Sequence, residues 1–224
     1  MGLLAVGDLH GCPRTLEALL ARLAPTPDDE LVFVGDYVDR GPDSAGLLER
    51  LLALEAAAAD GRGPRCLFLR GNHDQMMLDA VERPHDGEAQ ELWRINGGGR
   101  TVESYGARGI APAHLDFLAR TRLFYDRPDF FFVHAGLKPD RTVAAQAAAP
   151  SARTFLWERG HLEADRLAWE KPVVCGHTPV AEPLNLPRLL AIDTGAVYPQ
   201  VPGLGRLTAV RLPQRTFESV AYQG

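Results

Sequence analysis

The sequence has few cysteines, few lysines and no long apolar run. Its 224 residues include 3 cysteines, and neither their odd number nor their spacing fits a disulfide framework or a metal motif. Such cysteine usage is typical of the reduced thiols of a cytoplasmic protein. No stretch approaches about 18 apolar residues, so no transmembrane helix is predicted. Asp8 interrupts the start of the chain where a signal peptide would continue its apolar run, and we expect a cytoplasmic protein with no membrane partner.

The charges are nearly balanced, and this excludes a broad basic surface. The chain carries 24 Lys+Arg and 29 Asp+Glu, for a net charge of −5. Without a basic field, no nucleic-acid partner is expected. Apolar residues make up 46% and charged residues 24% of the chain, which is ordinary globular composition. At this length we expect a single domain spanning residues 1–224.

The N-terminal half repeats one pattern three times. Apolar runs at Leu3–Val6, Leu31–Val34 and Cys66–Leu69 each end near a glycine, and each is followed by apolar residues at helical spacing. Strand, loop and helix in this order predict βαβ units, an α/β fold and a largely parallel sheet.

The second half has a different pattern. Phe130–Val133 and Val173–Val174 are predicted to be buried strands, and short strands separated by Gly and Pro follow from Arg188 onward. This strand-rich tail predicts a second sheet packed beside the first.

Acidic and histidine residues follow five of these strands. Because ligands of open α/β sheets bind outside the carboxyl ends of the strands, we expect these residues to meet at one edge. The five blocks are Gly7–Gly11, Gly35–Gly41, Gly71–Asp74, His134–Gly136 and Gly176–Thr178.

Metal binding would explain the residue types in these blocks. Asp8 and His10 are two positions apart, so in extended chain their side chains point the same way, roughly 6.5 Å apart. The two oxygens of Asp36 could bridge two cations. Oxygen and nitrogen ligands without thiolate suit Mn²⁺, Fe or Zn²⁺. The candidate metal ligands are Asp8, His10, Asp36, Asn72, His134 and His177.

Several polar residues have a simpler interpretation. His85, His114 and His161 are expected to be solvated, and Asp74 is expected to serve the start of a helix. Asp193 is expected either to support the residues of the site or to stabilise the fold, and it is left outside the site itself.

The five blocks, in this order, resemble the signatures of the phosphoprotein phosphatase family of binuclear metallophosphoesterases. The segments Leu92–Gly106, Leu156–Arg159 and Ile192–Ala196 resemble small prokaryotic and phage-type members. The resemblance implies a calcineurin-like β-sandwich of two mixed sheets flanked by helices. It also implies that the chain is a single catalytic domain without a regulatory domain.

The family resemblance also implies roles for residues of this chain. One ion would bind Asp8, His10 and Asp36, and the other would bind Asp36, Asn72, His134 and His177; Mn²⁺ is favoured for both, with Fe or Zn²⁺ as alternatives. His73 would protonate the leaving group while Asp39 holds its ring. Arg40, Arg159 and Asn72 would contact the substrate phosphate.

The activity that this implies is hydrolysis of phosphoserine and phosphothreonine in proteins, or of small phosphate esters. Water activated between the two ions would attack phosphorus without a phosphoenzyme intermediate. Three matters stay open at this stage. The same centre could cleave dinucleoside tetraphosphates, although the intact Asp39-Arg40 pair favours a phosphatase. The chain could also bind phosphoproteins without turnover. A preference for Ser/Thr or Tyr depends on cleft segments around Arg83–Gln90 and Lys138–Arg153.

Overall fold

The structure is a computed structural model that describes residues 2–224. Five strands form its first sheet, in the order β10-β9-β1-β2-β3. Strands β1 (Leu3–Val6), β2 (Glu30–Phe33) and β3 (Arg65–Phe68) are parallel to one another. Strands β9 (Arg206–Leu212) and β10 (Thr216–Ala221) extend the sheet in antiparallel orientation.

A second sheet of five strands has the order β4-β5-β6-β8-β7. Its centre is parallel and its two edges are antiparallel, so both sheets are mixed. The strands are β4 (Phe124–Asp126), β5 (Phe131–Val133), β6 (Val173–Cys175), β7 (Leu184–Asn185) and β8 (Leu189–Ala191).

Helices cover the outer faces of the two sheets. Helices α4 and α5 are joined by a π-helical turn in which Gly97 has φ of 105°, a conformation that favours glycine. The helices are α1 (Pro13–Leu23), α2 (Ser44–Ala59), α3 (Asn72–Glu82), α4 (Gly87–Trp93), α5 (Gly99–Tyr105), α6 (Pro112–Ala119), α7 (Val143–Ala148) and α8 (Ala152–Trp157).

The alternation of side chains along the strands divides the core into layers. Ala5 of β1 packs toward the second sheet, in a cluster that includes Phe132 and Val174. Its neighbours Leu4 and Val6 point the other way, into a cluster formed with α1, α2, α3 and α6. Helices α7 and α8 cover the outer face of the second sheet. The expected α/β sandwich of two mixed sheets flanked by helices is therefore confirmed.

Two details of the predicted topology are wrong. Of the strands predicted from Arg188 onward, β8 joins the second sheet, whereas β9 pairs with β1 and, with β10, extends the first sheet. The five blocks also do not lie at the edge of one sheet. Three follow β1, β2 and β3, and two follow β5 and β6 of the other sheet, so the site lies where the ends of the two sheets meet.

Within residues 2–224, the helices are too short or too polar to cross a bilayer.

Candidate active site

The loops at the carboxyl ends of five strands bring the six predicted ligand side chains together. All six are buried, with exposed fractions of 7% or less. Backbone contacts fix the loops to one another, since the N–H groups of Leu9 and His10 both donate to the carbonyl of Asp36. Short atom-to-atom distances then define two groups of candidate ligands that share Asp36. The first group is Asp36 with His10 and His73, and the second group is Asp36 with His134 and His177.

Asp36 lies between these groups, and each of its oxygens faces a different histidine. Oδ2 is 3.5 Å from His10 Nε2, and Oδ1 is 3.5 Å from His134 Nε2. Oδ1 also accepts a hydrogen bond from the backbone N–H of His73 at 3.0 Å. Burial by itself would raise the pKa of Asp36, but the surrounding histidines, His134 foremost, hold that pKa below its ordinary value. The carboxylate therefore stays ionised and can serve both groups.

The histidine rings are held in the orientation that metal binding requires. His10 Nδ1 lies 2.8 Å from the carbonyl of Val38, and His134 Nδ1 lies 3.0 Å from the carbonyl of Val34. A carbonyl only accepts, so Nδ1 carries the proton in both rings and the Nε2 lone pair points into the site. Burial lowers the pKa of both rings below the ordinary value, which keeps them in the neutral form that binds cations.

Acceptor atoms converge in the second group without enough hydrogen-bond donors. His134 Nε2 is 3.0 Å from Asn72 Oδ1 and 3.2 Å from His177 Nδ1. His177 Nδ1 is also 2.9 Å from Asn72 Oδ1. A lone pair on His134 Nε2 facing an amide oxygen is repulsive unless a cation lies between them.

Asp8 supplies a further unsatisfied acceptor. Its Oδ2 accepts from the backbone N–H of His177 at 2.9 Å, whereas Oδ1 is buried and has no hydrogen-bond partner among the described residues. Burial, followed by the charges of Asp193 and Asp36, raises the pKa of Asp8 well above its ordinary value. A buried acid with an orphaned oxygen beside another carboxylate is the environment that a divalent cation stabilises. These donor atoms therefore fit the metal ions that the sequence predicts.

Two glycines are required by the close approach of these carboxylates. A Cβ on Gly71 would lie 2.0 Å from Asp36 Oδ1, and a Cβ on Gly176 would lie 2.0 Å from Asp8 Oδ1. No other residue fits either position without displacing a ligand.

The backbone is strained where the ligand loops turn. Among residues 2–224, seven non-glycine residues have a positive φ, and five of them belong to the predicted site. Such conformations cost about 1–3 kcal/mol each and persist where the surroundings impose them. The five are His10, Asp36, Asp39, Arg40 and His177.

His73 and Asp39 form a buried pair next to the ligands. His73 Nδ1 is 2.8 Å from Asp39 Oδ2, and the His73 ring is perpendicular to that of His10 at a centroid distance of 4.7 Å. The other oxygen of Asp39 accepts from Trp93 Nε1 at 2.9 Å and from Thr101 Oγ1 at 2.7 Å. Asp39 is thus fixed on both sides, and His73 Nε2 makes no hydrogen bond to a described residue.

The two predicted phosphate-binding arginines reach the same cluster from opposite sides. Arg40 Nη1 is 2.9 Å from His10 Nε2, and Arg159 Nε donates to His177 Nε2 at 3.0 Å. Arg40 also lies over the ring of Tyr198, with 5.7 Å between Cζ and the ring centroid. Both guanidinium groups therefore contact a histidine of the ligand cluster.

Sequence reasoning missed several residues around the site. Trp93 and Thr101 lie 54 and 62 positions from Asp39, and no local pattern links them to it. Asp193 is 4% exposed, and burial raises its pKa to about 7. It lies close enough to Asp8 for its charge to raise the pKa of that group, so Asp193 adjoins the site rather than lying outside it.

The expectation that His114 and His161 are solvated is wrong. They are 1% and 3% exposed. The His161 ring packs against the backbone of the fourth block so closely that a Cβ on Gly136 would lie 2.2 Å from His161 Cε1. His114 Nδ1 lies 2.6 Å from Tyr105 Oη.

Comparison with known proteins identifies the family to which this chain is similar. Residues 1–194 match the family described as calcineurin-like phosphoesterase. Serine/threonine-protein phosphatase 1 of Salmonella typhimurium is 30% identical over 222 residues, covering 92% of this chain and 90% of the relative. The asymmetrical bis(5'-nucleosyl)-tetraphosphatase PrpE of Oceanobacillus iheyensis is 26% identical over 96% of this chain and 90% of its own.

A solved structure shares the fold of this chain. The crystal structure of a metallophosphoesterase from Sphaerobacter thermophilus superposes on 100% of this chain and 90% of its own, with a TM-score of 0.64 and 20% identity. The fold, the buried ligand groups and the family match lead to one conclusion: the chain belongs to the calcineurin-like phosphoesterase family, whose members use divalent metal ions.

Proposed function

We propose that this protein hydrolyses phosphoserine and phosphothreonine in proteins. The observation that carries the proposal is the His73–Asp39 pair, held at 2.8 Å next to the candidate metal ligands. A serine or threonine alkoxide is a poor leaving group, and a positioned proton donor contributes roughly 10²–10⁴ to the rate of such reactions. An anhydride leaving group gains far less from a proton donor.

The six ligands would hold two divalent cations, with Asp36 common to both. Asp8, His10 and Asp36 would bind one ion, and Asp36, Asn72, His134 and His177 would bind the other. Such a pair of ions supplies Lewis acidity and lowers the pKa of a shared water toward neutrality. Mn²⁺ is our proposed metal, and the ligand set of carboxylate and amide oxygens with imidazoles suits it, as it also suits Fe or Zn²⁺.

The remaining site residues bind the phosphate and move a proton. Arg40 and Arg159 would hold equatorial phosphate oxygens, and Asn72 would add its amide group. These contacts offset the charge that the phosphoryl group carries in the transition state. His73 would then donate the proton on Nε2 to the leaving oxygen, while Asp39, 2.8 Å from Nδ1, fixes the orientation of the ring.

Hydrolysis of dinucleoside tetraphosphates is the second candidate function. It is supported by the similarity over nearly the full chain to a relative named as an asymmetrical bis(5'-nucleosyl)-tetraphosphatase. The same two-metal chemistry would apply to a phosphoanhydride, since the ions held by these ligands would act on the phosphoryl group, which both substrate classes share.

A direct comparison of substrates tests the proposal. Purified protein with Mn²⁺ is given a phosphoserine peptide, diadenosine tetraphosphate and p-nitrophenyl phosphate under identical conditions. We expect the largest kcat/KM for the phosphopeptide. A much larger kcat/KM for the dinucleotide would replace the first function with the second, and a chain that binds phosphopeptide but turns over none of the three is a binding module.

We further propose that residues 1–224 work as one catalytic domain in the cytoplasm. Pairing of the C-terminal strand β9 with β1 supports the single domain. The three free cysteines, Cys12, Cys66 and Cys175, support a reducing compartment.

A further inference from the structure

A large cleft opens beside the candidate metal ligands, on the side of α8. It has a volume of about 630 Å³ and is lined by Lys138, Ser151, Arg153, Thr154, Trp157 and Glu158. Ligand-binding clefts have volumes of about 300–1,000 Å³. Lys138, Ser151 and Thr154 also line a second cleft of about 170 Å³, which reaches Arg141. We call the two together the basic trough.

Trp157, which lines the basic trough, packs against the candidate ligand His177. The Trp157 and His177 rings are nearly perpendicular, with centroids 6.0 Å apart. Two residues further along, Arg159 donates to the same His177. Trp157 is 39% exposed, so a substrate held at the ligand cluster would meet an uncovered aromatic face on its way into the trough.

The trough is positively charged although the chain as a whole is acidic. Lys138, Arg141 and Arg153 are all exposed, and all line it. Glu158 is the one acid among the lining residues of the two clefts, and its carboxylate is 3.7 Å from Lys138 Nζ. Two arginines are left in excess, in a protein with a net charge of −5. Such a surface favours a ligand with several negative charges.

The two clefts of the trough share three lining residues, so an extended peptide could occupy both. The trough has two parts that meet at Lys138, and successive residues of an extended chain advance about 3.3 Å. The hydroxyl groups of Ser151 and Thr154 at the junction can bond to peptide N–H or C=O groups. The far part is lined by Ala145 and Ala149, whose small side chains leave room for a main chain.

We propose that the basic trough binds the acidic residues that flank phosphoserine or phosphothreonine in the substrate peptide. The inference rests on the proposed protein phosphatase function and adds a preference for acidic sequences. Lys138 and Arg153 bind the acids nearest the phosphate, and Arg141 binds those further along.

The test compares matched substrates on matched variants. Lys138→Gln/Arg153→Gln removes two charges from the trough. Arg22→Gln/Arg62→Gln removes two charges from exposed arginines on α1 and after α2 and serves as control. Both are assayed, with Mn²⁺, on a phosphoserine peptide with acidic flanks, the same peptide with neutral flanks, p-nitrophenyl phosphate and diadenosine tetraphosphate.

We expect the wild-type protein to prefer the acidic peptide, mainly through a lower KM, with a preference that declines as salt is added. In Lys138→Gln/Arg153→Gln, kcat/KM for the acidic peptide should fall about 10-fold, as expected for the loss of two partly exposed charge contacts. Turnover of the neutral peptide and of p-nitrophenyl phosphate should change less than about 2-fold. The control variant should keep the full preference, and so should the charge-conserving Lys138→Arg/Arg153→Lys.

The results that would contradict the trough proposal differ from those that would contradict the proposed function. Turnover of phosphopeptides without an acidic preference, or with a preference that survives Lys138→Gln/Arg153→Gln, overturns the trough proposal alone. Hydrolysis of p-nitrophenyl phosphate with no phosphopeptide turnover overturns the proposed function and the trough proposal together. Faster hydrolysis of diadenosine tetraphosphate that drops in the double variant assigns the trough to a nucleotide.

Discussion

At the scale of single residues, the candidate centre depends most on Asp36, because each of its oxygens faces a different group of ligands. In Asp36→Asn, one oxygen becomes an NH₂ group that cannot bind a cation. We expect kcat/KM to fall by at least about 100-fold, since changes around metal ligands already cost 10–100-fold. Calorimetric titration with Mn²⁺ should show weaker binding at both sites. Asp79→Asn, a change at a half-buried carboxylate on α3 that pairs with Arg83, is the control, and normal turnover in Asp36→Asn would refute the bridging role.

His73 allows a second prediction, based on leaving groups. His73→Asn removes the proton donor while the metal ligands stay in place. Turnover of a phosphoserine peptide should fall by roughly 10²–10⁴, whereas p-nitrophenyl phosphate, whose leaving group needs little protonation, should lose far less. The measurement is kcat for both substrates. Equal losses on the two would assign His73 to binding phosphate or orienting water.

His161 gives a prediction about pH. Burial lowers its pKa from 6.5 to about 4, so between these values the unfolded chain binds a proton that the folded chain does not. His161 therefore contributes a decrease in the free energy of unfolding as the pH falls from 7 toward 4. A difference of this size corresponds to about 3 kcal/mol. The free energy of unfolding of metal-free protein is measured by urea titration at pH 7 and at pH 4. Its decrease between the two pH values should be smaller in His161→Gln than in the wild type, by about that amount. An equal decrease in both proteins would contradict the lowered pKa of His161.

At the scale of elements, Asp74 connects the first turn of α3 to the loop that carries Asp36. Its carboxylate accepts from the backbone N–H groups of Gly71, Asp36 and Tyr37 at 2.8, 3.0 and 2.9 Å. In Asp74→Asn, an NH₂ group replaces one carboxylate oxygen. This group faces the backbone N–H donors and cannot accept a hydrogen bond from them. We expect a loss of about 3 kcal/mol in the free energy of unfolding, measured by urea denaturation. A value within about 0.5 kcal/mol of wild type, as for an ordinary surface change, would show that the junction is unimportant.

The elements were predictable where local pattern decides them. The glycine-bounded strands β1, β2 and β3 and the polar residues after them follow from spacing alone. The partner of a strand does not, because β9 carries the same apolar alternation whichever sheet it joins. Its pairing with β1 depends on the packing of residues about 200 positions apart in the chain.

The candidate site was predictable to a similar extent. Each ligand lies in a glycine-bounded block whose residue types indicate metal chemistry. Trp93 and Thr101, which bond to Asp39, lie in α4 and α5. Neither residue belongs to a glycine-bounded block that would indicate a role in the site. The burial of His161 likewise depends on how the loop after α8 folds against Gly136, which a short polar segment does not indicate.

At the scale of the whole molecule, the two sheets meet so that each contributes ligands to one centre. Asp8, His10, Asp36 and Asn72 follow strands of the first sheet, and His134 and His177 follow strands of the second. The second group therefore forms only when the sheets are packed together, and cation binding is coupled to folding.

That coupling predicts a large effect of metal on stability. A cation at about 100 times its dissociation constant stabilises the folded state by about 2.7 kcal/mol per site. We expect Tm to rise with Mn²⁺ concentration and to return to its starting value on addition of a chelator. Thermal unfolding followed by circular dichroism measures this effect. A Tm that is insensitive to Mn²⁺ would contradict the proposed ligand set.

The central claim is that six side chains from two sheets hold two neighbouring cations, and anomalous diffraction tests it most directly. Crystals grown with Mn²⁺ and measured at the manganese absorption edge should show two peaks per chain, about 3.5–4 Å apart, with Asp36 between them. A single peak, or two peaks without Asp36 as a common ligand, would contradict the account.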